Sequence, residues 1–162
     1  SYSFDVVSEF DYQELVNAID QLRREVDQRY DLKDSKTKID IKDEELTIVS
    51  SSDMTIESVK DILLQKATKR NLSLKIFDFQ KIETTGGNMV MQIVKLKKGL
   101  SQEISKKLSK LVRDNLKKVT VSIQGDSLRI TGKNKDDLQS AINLIKKQED
   151  DLEIALQFQN YR

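Results

Sequence analysis

The residues with the most chemistry to offer are cationic, and they are bunched. From Lys95 to Lys118 stand nine basic side chains (Lys95, Lys97, Lys98, Lys106, Lys107, Lys110, Arg113, Lys117, Lys118) against two acidic ones, Glu103 and Asp114. Residues 1–92 carry 13 basic and 18 acidic groups, and 119–162 carry 6 and 7. A net charge of +1 thus hides a block of +7, a distribution that favours an anionic partner at one place. Lys106, Lys110, Arg113 and Lys117 follow helical steps and form one exposed row. The ordinary reading of such a row is a solvated helix face; a nucleic-acid contact is the other. Lys95, Lys97 and Lys98 sit at a strand end just before Gly99 and a helix start. Backbone N–H groups and a positive dipole end gather at such a place, which makes it a candidate phosphate site.

Other chemistries lack their residues. The chain has no His and no Cys, which removes the usual general base, the usual zinc ligand and every thiol or Ser-His arrangement. Asp43-Glu44-Glu45 and Glu149-Asp150-Asp151 read as a hairpin turn and a solvated helix end, without the spacing of a calcium loop. Gly86-Gly87 has neither the continuation of a P-loop nor the third glycine of a dinucleotide fingerprint. We therefore expect no catalytic residues, no metal, no cofactor and no enzymatic activity. No apolar run approaches the roughly 20 residues of a membrane span, and no signal-peptide pattern opens the chain. A cytoplasmic protein without a membrane partner is the simplest expectation.

The elements that must position these groups repeat. Ser3–Glu9 reads as a strand, and Asp11 with Glu14 as the cap of a helix that buries Leu15, Ala18, Ile19, Leu22 and Val26. Lys36–Lys42 and Leu46–Ser50 form a hairpin, and 55–70 a helix burying Ile56, Val59, Ile62, Leu63 and Ala67. Leu72–Phe77 follows as an edge strand. After a connector at Asp78–Asn88 the order recurs: strand 90–97, helix 100–116, hairpin 119–132, helix 135–147, strand 153–158. In the third helix the expected buried stripe is Leu100, Ile104, Leu108, Leu111 and Val112. The second hairpin and its helix register on the first at a constant offset of 82, with Ile39 on Val121 and Ile48 on Ile130. The fold class is α+β: two ferredoxin-like βαββαβ halves in tandem duplication, about 1–80 and 81–162. The middle strands carry no aromatic residue, which disfavours base stacking on the sheet centres.

Four stretches carry a resemblance. SFDVVSEFDYQEL and NAIDQLRREVDQRYDLK within Ser3–Lys33, VKLKKGLSQEISKKLSKLVRD at Val94–Asp114, VSIQGDSLRITGKNKDDLQSAI at Val121–Ile142 and LQFQNYR at Leu156–Arg162 resemble the YajQ family of small bacterial nucleotide-binding proteins. The likeness covers nearly the whole chain and is less distinctive over Lys42–Met89. It implies that the two halves exchange their first strands, so that Ser3–Glu9 pairs in the second half's sheet and the strand near 89–97 in the first's. It also implies nucleotide binding, in some members of cyclic-di-GMP, followed by action on a partner protein or on transcription. Charged and polar positions that match the family are Asp5, Arg24, Arg29, Lys95, Lys97, Lys98, Gln124, Arg129, Lys133 and Arg162, with the aromatics Phe4, Tyr30 and Phe158. Asn134 departs from the pattern, standing where a basic residue is common.

Two functional expectations follow. The first is a non-catalytic binder of cyclic-di-GMP or another guanine nucleotide, at the basic strand end and a cleft between the halves. Its ligand-binding set is Phe4, Arg29, Tyr30, Lys95, Lys97, Lys98, Gln124, Arg129, Lys133 and Arg162. The arginines suit bidentate phosphate or guanine-edge contacts, the lysines phosphates, and Phe4 or Tyr30 a stacked base. The alternative is association with structured RNA or the ribosome through Lys106, Lys110, Arg113 and Lys117, with binding that collapses as salt is added.

Overall fold

A computed structural model describes residues Ser1–Arg162. It contains β1 (Tyr2–Val7), α1 (Tyr12–Gln28), β2 (Lys38–Lys42), β3 (Glu45–Ser50), α2 (Asp53–Lys69), β4 (Phe77–Phe79), β5 (Glu83–Thr85), β6 (Met89–Leu96), α3 (Gln102–Asn115), β7 (Val119–Gln124), β8 (Ser127–Gly132), α4 (Lys135–Gln148) and β9 (Gln157–Gln159). These make two ferredoxin-like units. One comprises Ser1–Glu9 with Lys98–Arg162, the other Phe10–Lys97.

In the first unit the sheet order is β7-β8-β1-β9, every pair antiparallel. In the second it is β2-β3-β6-β4, with β5 added beside β6. The inner strand β1 therefore lies among strands drawn from the end of the chain, and β6 among strands drawn from its first half. Each has the alternation its slot demands. Phe4 and Val6 of β1 join the core of the first unit with Leu108, Val112, Leu128, Ile130 and Ile145. Val94 and Leu96 of β6 join the core of the second with Leu22, Leu46, Ile48 and Leu63.

Local chemistry explains the element ends. Asp11 caps α1 by accepting from the Glu14 N–H at 3.2 Å, and Ser52 with Thr55 forms a reciprocal capping box on α2. The β2–β3 and β7–β8 hairpins both turn through a left-handed residue, Asp43 (φ +53°) and Gly125 (φ +61°). The duplicate halves thus share their turn geometry as well as their apolar pattern.

Three segments differ from the expectations. Leu72–Phe77 is not a strand: Ser73 accepts from the Lys75 N–H at 3.2 Å, Leu74–Ile76 makes one 3-10 turn, and the strand begins at Phe77. The connector contains a strand, β5, because Gly87 (φ +71°) and Asn88 (φ +59°) turn the chain back onto β6 as a hairpin. The last strand starts late, at Gln157. Before it, the Glu149 carboxylate accepts from the Leu156 N–H at 3.3 Å and the Leu152 N–H bonds to the Glu149 carbonyl, so this backbone is satisfied locally. No helix is long and apolar enough to cross a membrane.

Candidate functional site

Gly99, which follows Lys97 and Lys98, is closely packed. Gly99 has φ +83°, donates its N–H to the Ser8 carbonyl at 2.7 Å, and precedes Leu100, which donates to the Asp126 carbonyl at 2.8 Å. A Cβ on Gly99 would lie 2.5 Å from an Asp126 carboxylate oxygen. The anion packed against this glycine is therefore the chain's own. At the helix start, Ser101 caps α3 by accepting from the Ile104 N–H at 3.2 Å. Lys95 stands exposed on β6, with Glu45 and Asp78 as its cross-strand neighbours. The Lys97 backbone N–H goes to the Ile76 carbonyl at 2.8 Å.

Arg29 is similarly engaged. Its guanidinium forks onto Asp31 (Nε–Oδ1 3.0 Å, Nη2–Oδ2 2.9 Å) and also reaches Glu25 at 3.6 Å. The bond to Asp31 raises the arginine's pKa, and the reciprocal bond lowers that of Asp31. Tyr30 is 89% exposed, with only Lys33 over its ring at 5.2 Å. Phe4, in contrast, is wholly buried core.

The remaining expected residues belong to the first unit. On the sheet face away from the helices, Ser122, Arg129, Asp5 and Gln159 form one cross-strand row. The Arg129 Nε donates to Asp5 Oδ1 at 3.0 Å and the Asn160 amide donates to Asp5 Oδ2 at 2.9 Å. Burial pushes the Asp5 carboxyl up, but the Arg129 bond outweighs it, helped by Asn160 and by the nearby Arg162 charge, and holds the pKa below its ordinary value. Gln124 bonds to Ser122 Oγ at 2.8 Å. Lys133 and Lys98 lie near opposite ends of β8, roughly 20 Å apart by strand rise.

At the Tyr2 end of β1, beside α4, there is a groove of about 460 Å³, and sequence reasoning missed most of its lining. Tyr2 and Tyr161 present rings that are 38% and 63% exposed. Leu138 and Ile142 of α4 form the apolar floor, and Lys135 and Arg162 supply positive charge. The Lys135 Nζ lies 5.3 Å from the Tyr2 ring centroid. The Tyr161 ring lies 6.0 Å from Phe4, which in turn meets Phe158 edge-on at 5.9 Å. Of the expected ligand set, Arg162 lines the groove, Phe4 supports its aromatic wall, and Lys133 follows Gly132, the strand partner of Tyr2. The expectation that the middle strands carry no aromatic residue fails in this sheet, because β1, with Tyr2 and Phe4, takes a middle place and β7 an edge. What the sequence lacked was any sign that positions 2 and 161 line one groove. Size, apolar floor, exposed rings and paired cations suit a ligand with a flat ring and an anionic group.

Lys106, Lys110 and Arg113 on α3, and Lys117 just beyond its end, are all exposed and none is in an ion pair.

Comparison with known proteins agrees in kind. The family described as "Nucleotide-binding protein YajQ-like" matches residues 2–162. A nucleotide-binding protein of Prochlorococcus marinus strain NATL1A is 93% identical over 162 residues, covering all of this chain and 98% of the relative. Nucleotide-binding proteins of Synechococcus sp. strains CC9605 and JA-3-3Ab are 69% and 56% identical with the same coverage. The relatives' names describe binding and not a reaction. With a match along essentially its whole length, the chain belongs to the YajQ-like family of nucleotide-binding proteins.

Proposed function

We propose that this chain is a non-catalytic cytoplasmic binder of a guanine nucleotide, cyclic-di-GMP or a related molecule, which then acts through a protein partner. The observation that carries the reading is the groove of the first unit, in which Tyr2 and Tyr161 offer ring faces beside Lys135 and Arg162. A base laid against either ring would bring its phosphates toward the lysine and arginine. Lys133 can add charge from the adjoining strand end, and Arg129 is kept on the neighbouring face by Asp5. Arg29, already forked onto Asp31, contributes little in this arrangement.

Isothermal titration with cyclic-di-GMP, GMP, GTP and CMP tests the reading. Guanine ligands should bind in preference to CMP. Stacking of one base is worth roughly 1–3 kcal/mol, so Tyr161→Ala should weaken binding about 5- to 150-fold. Absence of heat with every nucleotide at micromolar protein would end the proposal.

A second reading draws on the exposed α3 row. Lys106, Lys110, Arg113 and Lys117 suit the phosphates of structured RNA, read by shape. Affinity should then fall steeply with salt, whereas small-nucleotide binding in the groove, with two cations, should fall far less.

A further inference from the structure

The groove owes its second tyrosine to one irregular residue. β1 and β9 run antiparallel with Val7 opposite Gln157, Val6 opposite Phe158 and Asp5 opposite Gln159. Continued unbroken, that register would set Ser3 opposite Tyr161. Instead Ser3 and Arg162 exchange both backbone hydrogen bonds, at 3.1 and 3.0 Å. One extra residue has been absorbed, and Asn160 marks the place: its φ is +56°, a left-handed conformation that Asn tolerates better than most residues. This is a β-bulge, a device that re-aims side chains.

The consequence follows from the two-residue period of a strand. Without the bulge, Asn160 would face the helices, and Tyr161 would point to the Asp5 side of the sheet. With it, the Asn160 amide reaches Asp5 at 2.9 Å. Tyr161 lies on the helix side, against buried Phe4 and in the groove with Leu138 and Ile142. Asp5, itself held by Arg129, is the latch for the turn.

We propose that Asn160 is a positioning residue for the ligand site: its bulge, latched by Asp5, turns Tyr161 into the groove and sets Arg162 at the rim. The inference rests on the groove being the nucleotide site. It is tested in the full chain with Asn160→Gly, Asn160→Val and Tyr161→Ala, titrated with GMP, GTP and cyclic-di-GMP. Gly enters the left-handed region freely but gives up the bond to Asp5, so Asn160→Gly should bind more weakly than the parent and several-fold more tightly than Asn160→Val; equal weakening in the two would overturn the role of the left-handed turn. Val is β-branched and avoids that region, so Asn160→Val should weaken binding about tenfold or more, as Tyr161→Ala does. Asn160→Val should also lose the nuclear Overhauser contact between the Tyr161 and Phe4 rings while its melting temperature stays within a few degrees of the parent. If Asn160→Val binds normally while Tyr161→Ala does not, or keeps the Tyr161–Phe4 contact, the positioning role is overturned and the groove reading stands. If Tyr161→Ala binds every nucleotide as the parent does, or the parent binds none, the groove reading falls and this inference falls with it.

Discussion

Asp5 shows how one side chain can be misread from type alone. In the sequence it is an acidic residue between Phe4 and Val6 in an expected strand. In the fold it is 6% exposed and accepts from two donors, one of them a guanidinium. Its pKa is lowered from an ordinary value of 3.8, so the ionised form is favoured by folding. The stability it contributes is present above that ordinary value and is lost as pH falls through the lower folded value. Asp5→Asn should therefore lower the melting temperature at pH 7, and its melting temperature should fall less than the parent's below about pH 4. Thermal melts of both proteins from pH 7 to pH 2 check this; parallel curves would show that Asp5 is not linked to acid unfolding. Glu25, lowered chiefly by its bond to Lys66, adds to the acid sensitivity of both proteins alike.

Helix α3 shows what periodicity resolves in an element and what it does not. Its exposed cationic row is as the spacing predicts. Its buried face differs: Leu108 and Val112 are buried as expected, Leu111 is only partly so, and Ser105 and Ser109 are buried at 1% and 3% exposure. Both serine hydroxyls lie without a hydrogen-bonding partner, which a residue type cannot announce. The hydroxyl of Ser52, by contrast, caps α2. The same substitution should thus have opposite signs in two helices. Ser52→Ala should cost about 1 kcal/mol. Ser109→Ala, which removes an unpaired polar atom and improves helix propensity, should be neutral or stabilise by up to ~1 kcal/mol. Denaturant unfolding of the two variants decides it, and a large loss for Ser109→Ala would mean its hydroxyl is satisfied.

At the scale of the whole molecule, chain connectivity sets what can fold alone. The contiguous unit Phe10–Lys97 contains all of its own sheet and its own core. A fragment ending at residue 80 lacks β6, the strand that pairs with β3 on one side and β4 on the other. We expect residues 10–97 to fold cooperatively when expressed alone, and residues 1–80 to show no cooperative unfolding transition. Circular dichroism melts of the two fragments check this. A cooperative melt of 1–80 would show that β6 is dispensable to that unit.

The sequence alone determined the helices, both hairpins, the duplication and the cationic row, because these depend on residue spacing within a few turns of chain. The turn at Asn88 was legible in principle through Gly86-Gly87-Asn88. Tertiary structure decided which sheet each inner strand joins, the packing of Asp126 against Gly99, and the placing of Tyr2 and Tyr161 in one groove. The physical reason is the same in each case. An alternating apolar pattern states which face of a strand is buried and nothing about which neighbour covers it. A single residue absorbed at Asn160 then reverses the faces of everything beyond it, with no mark in the pattern itself.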